Sequence, residues 1–358
     1  MILIYDDGFT EYDVPPSYSF SGGRFRDFYE YFTSHMPEDR YELERPTKAS
    51  KEDLLLIHTE EYLNYVEQLA NEIPGSFTTY LTPDTQVERG MLEANKLIVG
   101  AAMDGVELAG RRNRPVYTFG GLHHAGPSRG GGFCVLNDVA AAARHARNIY
   151  RGRVMIIDTD AHAGDGTMDI FYKDPSVLTV SVHHDPTSFY PGRGFAREIG
   201  DGGGEGYCVN FPMPPFAGIN CYEIFREQIL EPIAREYRPK FIIRNGGSDP
   251  YFSDIPNLGY ATFLGLRKRD FHTLGGWIGD LSRSLGAYYL DIMGSGYDVD
   301  AIPTTWFALM TGSLGVPYEG RETEDLPGKV DDEERIEGTQ GVADNLKELL
   351  GPYWSSLG

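Results

Sequence analysis

The sequence predicts an α/β protein with a mostly parallel sheet and helices on both faces of that sheet. Apolar, β-branched runs alternate along the chain with Ala- and Leu-rich segments of helical spacing, and this alternation is typical of a parallel sheet. Hydrophobic residues make up 41% and charged residues 24% of the 358 residues, as in soluble globular proteins. No internal repeat or Pro/Gly/Ser-rich linker divides the chain. We therefore expect one large domain over 1–318 and an acidic C-terminal extension, 319–358, packed on it.

The elements can be predicted in chain order. The apolar start of the chain, from Met1, predicts a first strand. Further strands are predicted at 115–119, 153–157, 177–182 and 241–244, and another apolar run precedes Gly294. Helices are predicted at 89–108, 137–150, 221–237 and 270–285. The acidic segment 319–337 is expected to lie along the surface, and 341–350 to form a short helix.

Charge and composition exclude several classes of function. The formal net charge of −21 argues against nucleic-acid binding, which needs a basic surface. No apolar run is long enough to span a bilayer, and the N-terminus lacks the features of a signal peptide. The three cysteines, at positions 134, 208 and 221, are too few and too scattered for a disulfide framework or a thiolate metal site. We therefore expect a cytoplasmic protein without membrane or nucleic-acid partners.

The segment Asp158-Thr159-Asp160-Ala161-His162-Ala163-Gly164-Asp165-Gly166-Thr167 follows the predicted strand 153–157. Open α/β sheets bind ligands at the carboxyl ends of their strands. Alternate residues of an extended segment point the same way, so Asp160 and His162 can converge on one point. Such oxygen and nitrogen ligands suit Zn²⁺ or Fe²⁺. The alternative is a polar loop that caps a helix, with Asp165 or Thr167 as the N-cap.

Four other segments place polar residues after an apolar strand. They are Gly120-Gly121-Leu122-His123-His124-Ala125, Ser181-Val182-His183-His184, Asn245-Gly246-Gly247-Ser248-Asp249 and Gly294-Ser295-Gly296-Tyr297. Five of the nine histidines lie in these segments or in the first one. The glycine-rich loops do not match a phosphate-binding loop.

In order and spacing, these motifs resemble the zinc-dependent histone deacetylase family and its acetylpolyamine amidohydrolase and acetoin-utilisation relatives. Gly132-Phe133-Cys134 and Asn137-Asp138 complete the set, which runs from about Tyr62 to about Thr311. The resemblance implies the arginase/deacetylase fold, a three-layer α/β/α sandwich around a mostly parallel eight-stranded sheet. It also implies hydrolysis of an acylated amine to a free amine and a carboxylate.

The resemblance further implies a role for each matching residue. It suggests that Asp160, His162 and Asp249 hold the metal, and that His123 and His124 move protons, backed by Asp158 and Asp165. Tyr297 would polarise the substrate carbonyl, with Gly294 and Gly296 allowing its turn. The substrate would contact Asp84, Gly132, Phe133, Tyr190 and Leu258, with Tyr190 where the family usually has Phe. Asp158 and Ser181 match a structural K⁺ or Na⁺ site.

Three alternatives remain open from the sequence. An acetylpolyamine amidohydrolase can carry a gatekeeping Glu in the loop after Asp249, where this chain has Leu258 and an apparent two-residue insertion. An arginase-type ureohydrolase shares the Asp-Ala-His element, but Ser248-Asp249-Pro250-Tyr251 lacks the second Asp of a binuclear site. A catalytically inactive acyl-amine binding protein is disfavoured because His123, His124 and Tyr297 are all retained. The segment around Phe20 departs from the family motif, which leaves a homo-oligomeric state open.

Overall fold

The computed structural model describes residues 1–13, 20–71, 80–87, 89–254, 264–320 and 326–358. Its centre is an eight-stranded sheet in the order β2-β1-β3-β8-β7-β4-β5-β6, with parallel pairing throughout. The strands are β1 (Ile2–Ile4), β2 (Glu42–Glu44), β3 (Val116–Phe119), β4 (Val154–Asp158), β5 (Val177–His184), β6 (Cys208–Met213), β7 (Phe241–Gly246) and β8 (Tyr288–Met293). This arrangement confirms the predicted fold class.

Helices cover both faces of the sheet. They are α1 (Gly23–His35), α2 (Lys51–Leu54), α3 (Glu60–Asn71), α4 (Arg89–Arg112), α5 (Asp138–Tyr150), α6 (Asp165–Phe171), α7 (Ile219–Phe225), α8 (Glu231–Tyr237), α9 (Lys268–Leu285), α10 (Ile302–Ser313) and α11 (Glu333–Leu350). Every residue of β3, β4, β5 and β7 is buried. Burial on both faces explains why these strands stand out in the sequence as continuous apolar runs.

Elements with a weaker apolar pattern differ from the sequence prediction. Strands β2 and β6 were not predicted, and two helices have other bounds than expected. Strand β2 is a largely exposed edge strand of sequence Glu-Leu-Glu, and β6 contains Asn210 and Pro212, which interrupt its apolar run. The helix predicted at 221–237 is split into α7 and α8 by a π-helical turn, Arg226–Leu230. Helix α11 begins at Glu333, inside the segment expected to lie along the surface.

The C-terminal residues pack on the α/β body. The Asp331 carboxylate accepts hydrogen bonds from the backbone N–H groups of Gly218 and Asn220 at the start of α7. Near the end of the chain, the Trp354 indole is buried and donates to the Gly206 carbonyl. No helix in the described ranges combines the length and hydrophobicity needed to cross a bilayer.

The strand register brings the functional segments together. Asp158, the last residue of β4, is paired with Ser181 of β5 and with Asn245 of β7. Strand β8 is paired with β7, so the loop after Met293 begins beside the loop after Gly246. The carboxyl ends of the four strands β5, β4, β7 and β8 therefore form one edge near the middle of the sheet, where open α/β folds bind ligands.

Candidate active site

Three side chains at this edge form a compact group of metal-ligand type. Asp160 and His162 lie on the loop after β4, Asp249 lies on the loop after β7, and their donor atoms all lie within 4.8 Å of one another. The His162 Nδ1 atom is 3.0 Å from Asp160 Oδ1 and 3.1 Å from Asp249 Oδ2. Two carboxylates and an imidazole are ligands that Zn²⁺ and Fe²⁺ accept, and three protein ligands leave coordination positions for substrate.

The electrostatics of this group fit a cation. Asp160 and Asp249 are buried, and burial together with the nearby Asp160 charge raises the pKa of Asp249 above its usual value. Two carboxylates so close resist being ionised together unless a positive charge joins them. The Ser295 hydroxyl donates to Asp249 Oδ1 at 2.6 Å, and the Ala161 N–H donates to Asp249 Oδ2 at 3.1 Å. These bonds hold the carboxylate in place, as outer partners of a metal ligand do.

The tandem histidines lie next to this group, each in contact with its own carboxylate. The His123 Nδ1 atom is 2.7 Å from Asp158 Oδ2, and the His124 Nδ1 atom is 2.7 Å from Asp165 Oδ1. With both Nδ1 atoms donating to carboxylates, the two Nε2 atoms face each other at 3.2 Å. His123 Nε2 is also 3.8 Å from Asp160 Oδ1. This geometry fixes the tautomer of each ring and lets the Nε2 atoms share a proton.

The pKa values of the two histidines move in opposite directions. Burial lowers the pKa of His123, but the charge of Asp158 and the hydrogen bond to it outweigh this effect and raise the pKa to about 10. Burial and the positive charge on His123 lower the pKa of His124. Burial would raise the pKa of Asp165, yet His124 and Arg129 outweigh it and keep it below its usual value. The pair is therefore arranged to hold one shared proton.

The loop that carries the histidines is held by the start of helix α5. The Asp138 carboxylate accepts hydrogen bonds from the Gly121 and Leu122 N–H groups at 2.9 and 2.7 Å. The Asn137 amide donates to the carbonyls of His123 and Ala125. The Asn-Asp pair belonged to the motif in the sequence, but its role as a clamp for this loop required the structure.

Tyr297 lies on the loop after β8 and closes another side of the site. Its ring centroid is 6.3 Å from that of His162. Burial and the nearby Asp249 charge raise the pKa of Tyr297 well above its ordinary value, so the hydroxyl stays protonated and can donate. Gly296 precedes it with φ +137°, and a Cβ there would lie 2.1 Å from Ser248 Oγ. Only glycine permits this turn.

Aromatic side chains surround the approach to the site. The Tyr190 ring lies 5.0 Å from His124 and 6.2 Å from His162, and Tyr190 is 38% exposed. Phe133 stacks on Phe20 at 5.1 Å. Gly132 lets this loop approach the histidines, because a Cβ there would lie 2.5 Å from His124 Cδ2.

Of the remaining predicted residues, two bond to neighbours in their own segments and one lies outside the described ranges. Asp84 is partly buried and accepts hydrogen bonds from the Thr82 and Thr85 hydroxyls. Ser181 is buried, and its hydroxyl lies 2.7 Å from His183 Nδ1. Leu258 lies outside the residues that the structure describes.

Several contacts at the site were not predicted. Phe189 stacks on the His162 ring at 4.5 Å. The Arg24 guanidinium lies 3.6 Å over the Phe20 ring and donates to the Gly294 carbonyl. Arg129 donates to Asp165 Oδ2 at 2.7 Å. The Arg24–Phe20 contact is local, but the other contacts join segments that are distant in sequence, so no local pattern could reveal them.

Comparisons with known proteins agree with this geometry. Residues 19–313 match the model of the histone deacetylase domain. A probable deacetylase of Archaeoglobus fulgidus is 31% identical over 88% of this chain and 87% of its own length. The acetoin utilization protein AcuC of Bacillus subtilis is 30% identical over 88% of this chain and 82% of its own length. The crystal structure of the HDA15 HD domain superimposes with a TM-score of 0.83 and 25% identity, covering all of this chain and 98% of that one.

Proposed function

Since this chain belongs to the histone deacetylase family, a family of metal-dependent deacetylases, we propose that it hydrolyses the amide bond of acyl-lysine side chains or small N-acyl amines. The proposal rests on one observation. Three side chains that could bind a metal ion lie beside two histidines, and each of these histidines is hydrogen-bonded to a carboxylate. The products would be a free amine and acetate or another carboxylate.

We propose that Asp160, His162 and Asp249 hold one divalent ion, with Zn²⁺ as the first candidate and Fe²⁺ compatible with the same ligands. When bound, the ion would polarise the acyl carbonyl and lower the pKa of a water molecule. Among the described residues, no second group of metal-type ligands lies beside the first. That observation favours one metal and disfavours the binuclear site of an arginase-type ureohydrolase.

His123 and His124 would act as a unit in proton transfer. Their facing Nε2 atoms, 3.2 Å apart, accept a proton from the attacking water and return one to the departing amine nitrogen. Asp158 and Asp165 stabilise the charged rings and keep the Nδ1 protons in place. The pair shares its protons, so the two steps are not assigned to individual rings.

Tyr297 would donate a hydrogen bond to the acyl oxygen. Its raised pKa keeps the phenol protonated, so the hydroxyl can stabilise negative charge as it develops on that oxygen. Retention of this donor together with both histidines supports an active enzyme over an inactive acyl-amine binding protein.

We propose that the acyl chain enters between Phe133 and Tyr190, with Gly132 allowing the close approach to His124. Asp84, held by two threonine hydroxyls, would accept a hydrogen bond from the substrate backbone at the rim. We expect such a passage to favour a slender, extended substrate chain.

The overall charge bears on the substrate. A net charge of −21 attracts cationic amines and lysine-rich peptides over a distance that shrinks to about 8 Å near physiological ionic strength. The sequence has Leu258, and not a gatekeeping Glu, in the loop after Asp249, so we propose acyl-lysine or small N-acyl amines as substrates at least as good as acetylated polyamines.

We propose two further assignments, a structural cation site from the family resemblance and a cellular compartment from the cysteines. Asp158 and Ser181, paired in register, would take part in a structural K⁺ or Na⁺ site. The cysteines at 134, 208 and 221 are free and buried, which supports a reducing compartment such as the cytoplasm.

The test is hydrolysis by the metal-loaded protein of a panel of acetyl-lysine peptides, acetylspermidine, longer acyl-lysines and L-arginine. We expect turnover of acetyl-lysine peptides and none of L-arginine. A large preference for acetylspermidine that persists at moderate salt would contradict the substrate assignment. Two tightly bound metals per active chain, or urea release, would overturn the proposed function.

A further inference from the structure

A buried carboxylate, Asp254, contacts the loop that carries Tyr297. Asp254 is fully buried. Its Oδ2 atom accepts a hydrogen bond from the Tyr297 N–H at 3.0 Å, and its Oδ1 atom accepts one from the Asp298 N–H at 3.1 Å. One side chain therefore fixes two consecutive peptide groups, one of which belongs to the proposed carbonyl donor.

Asp254 is itself held close to the metal ligand Asp249. Backbone hydrogen bonds from Tyr251 N to Ser248 O, at 2.8 Å, and from Asp254 N to Tyr251 O, at 3.0 Å, fold 248–254 into two successive tight turns. The same short segment therefore carries one of the metal ligands at its start and the anchor of the Tyr297 loop at its end.

Further bonds join this segment to the Tyr297 loop. The Ser248 N–H donates to the Ser295 carbonyl at 2.9 Å, and the Ser295 hydroxyl donates to Asp249 Oδ1 at 2.6 Å. The backbones pack so closely that a Cβ on Gly247 would lie 1.9 Å from the Ser295 carbonyl oxygen. The hydrogen bonds of Ser248 and Asp249 with the Tyr297 loop reach only Ser295. Among the bonds described above, the one that reaches Tyr297 itself is accepted by Asp254.

We propose that Asp254 is a positioning residue that sets the distance of the Tyr297 hydroxyl from the metal ligands. The inference rests on the proposed function, because the hydroxyl must meet an acyl oxygen located by the metal group. A displacement of about 1 Å in such a donor can reduce the rate about 10²-fold. The reduction in kcat caused by losing Asp254 cannot exceed the reduction caused by removing the Tyr297 hydroxyl, which is about 10²- to 10³-fold.

The test is a double-mutant cycle with Asp254→Asn and Tyr297→Phe in the full-length, metal-loaded protein. Asn keeps the size of the side chain but turns an amide toward one of the two N–H groups. We expect Asp254→Asn to lower kcat about 10- to 100-fold and to change KM far less. In the Tyr297→Phe background, the same substitution should change kcat by no more than about twofold, the usual error of additivity.

Asp298→Asn is the matched control. It removes a carboxylate charge from the same loop, but its side chain binds the N–H groups of Asp300 and Ala301 and not that of Tyr297. We expect near wild-type kcat for this variant. Metal content and Tm should be measured for every variant, so that a loss of metal is not mistaken for misplacement of the hydroxyl.

Amide hydrogen exchange of the Tyr297 and Asp298 N–H groups, the two that donate to Asp254, gives a readout that does not depend on activity. Exchange should accelerate in Asp254→Asn and stay near wild type in Asp298→Asn. If wild-type protein hydrolyses no acyl-amine, the proposed function fails, and exchange still decides whether Asp254 holds the loop.

Any one of the following results would overturn the inference itself. They are wild-type kcat in Asp254→Asn, an equal loss of kcat with and without the Tyr297 hydroxyl, and unchanged exchange of the loop. Asp254→Ser, which keeps one acceptor in a smaller side chain, serves if the Asn variant does not fold. Failure of both variants to fold would assign Asp254 to the stability of the fold and would also overturn the inference.

Discussion

Tyr297→Phe removes a single hydroxyl from the candidate active site and keeps the ring. The phenyl ring retains its contact with Phe20, whose centroid lies 5.8 Å away. The backbone bond to Asp254 is unaffected, because it uses the N–H group of residue 297. None of the three proposed metal ligands loses a partner. We therefore expect unchanged metal content and unchanged Tm.

The expected loss of turnover follows from the role of the hydroxyl. In the proposed mechanism it donates to an oxygen whose negative charge grows in the transition state, beside the His162 ring. Removal of one such donor costs about 2.7–4 kcal/mol, which corresponds to about 10²- to 10³-fold in kcat. Because the pKa of Tyr297 lies well above its ordinary value, the loss should be similar across neutral pH.

The assay is steady-state hydrolysis of an acetyl-lysine peptide by zinc-loaded wild type and variant, with metal analysis of the same samples. KM should change less than kcat, since the hydroxyl acts mainly in the transition state. A kcat within about threefold of wild type, far short of the loss typical for such a donor, would show that Tyr297 is not the carbonyl donor. Equal losses of metal and activity would instead assign it a structural role.

The remaining predictions concern the metal, the histidine pair and the stability of the fold. A chelator should abolish hydrolysis, and one equivalent of Zn²⁺ or Fe²⁺ per chain should restore it; activity that survives complete metal removal would refute the metal site. Arg129→Met should lower kcat and leave metal content unchanged, because Asp165 then loses its 2.7 Å partner and holds His124 less firmly; an unaltered pH–rate profile would contradict this. Burial lowers the pKa of His58 to about 4, so below about pH 6.5 the unfolded chain binds a proton that the folded chain does not. His58 should therefore contribute about 3 kcal/mol to the fall in the free energy of unfolding between pH 6.5 and 4, and urea titrations of His58→Gln should show a correspondingly smaller fall. Trp354→Ala should reduce stability by about 3–5 kcal/mol without altering metal content; wild-type Tm would refute the packing of the C-terminal segment on the body.

The predictions that succeeded rest on local patterns. Strands β3, β4, β5 and β7 are continuous apolar runs because they are buried on both faces, so composition alone marked them. Edge strand β2 carries no such pattern, since its sequence, one exposed Leu between two Glu residues, is equally typical of a loop. The π-helical turn Arg226–Leu230 follows helical spacing closely enough that the sequence predicted one continuous helix.

The sequence by itself determined the chemistry available to this protein. The donor types at 123–124, 158–165, 249 and 297, each placed after a strand, predict the proposed metal and proton-transfer site because residue type sets ligand softness, charge and pKa range. Only the tertiary structure decided how these groups are held. The contacts of Asp254 with the Tyr297 loop, of Asp138 with the histidine loop and of Arg129 with Asp165 join segments from different strands and helices. Such contacts depend on distances across the sheet, which the order of residues along one chain does not specify.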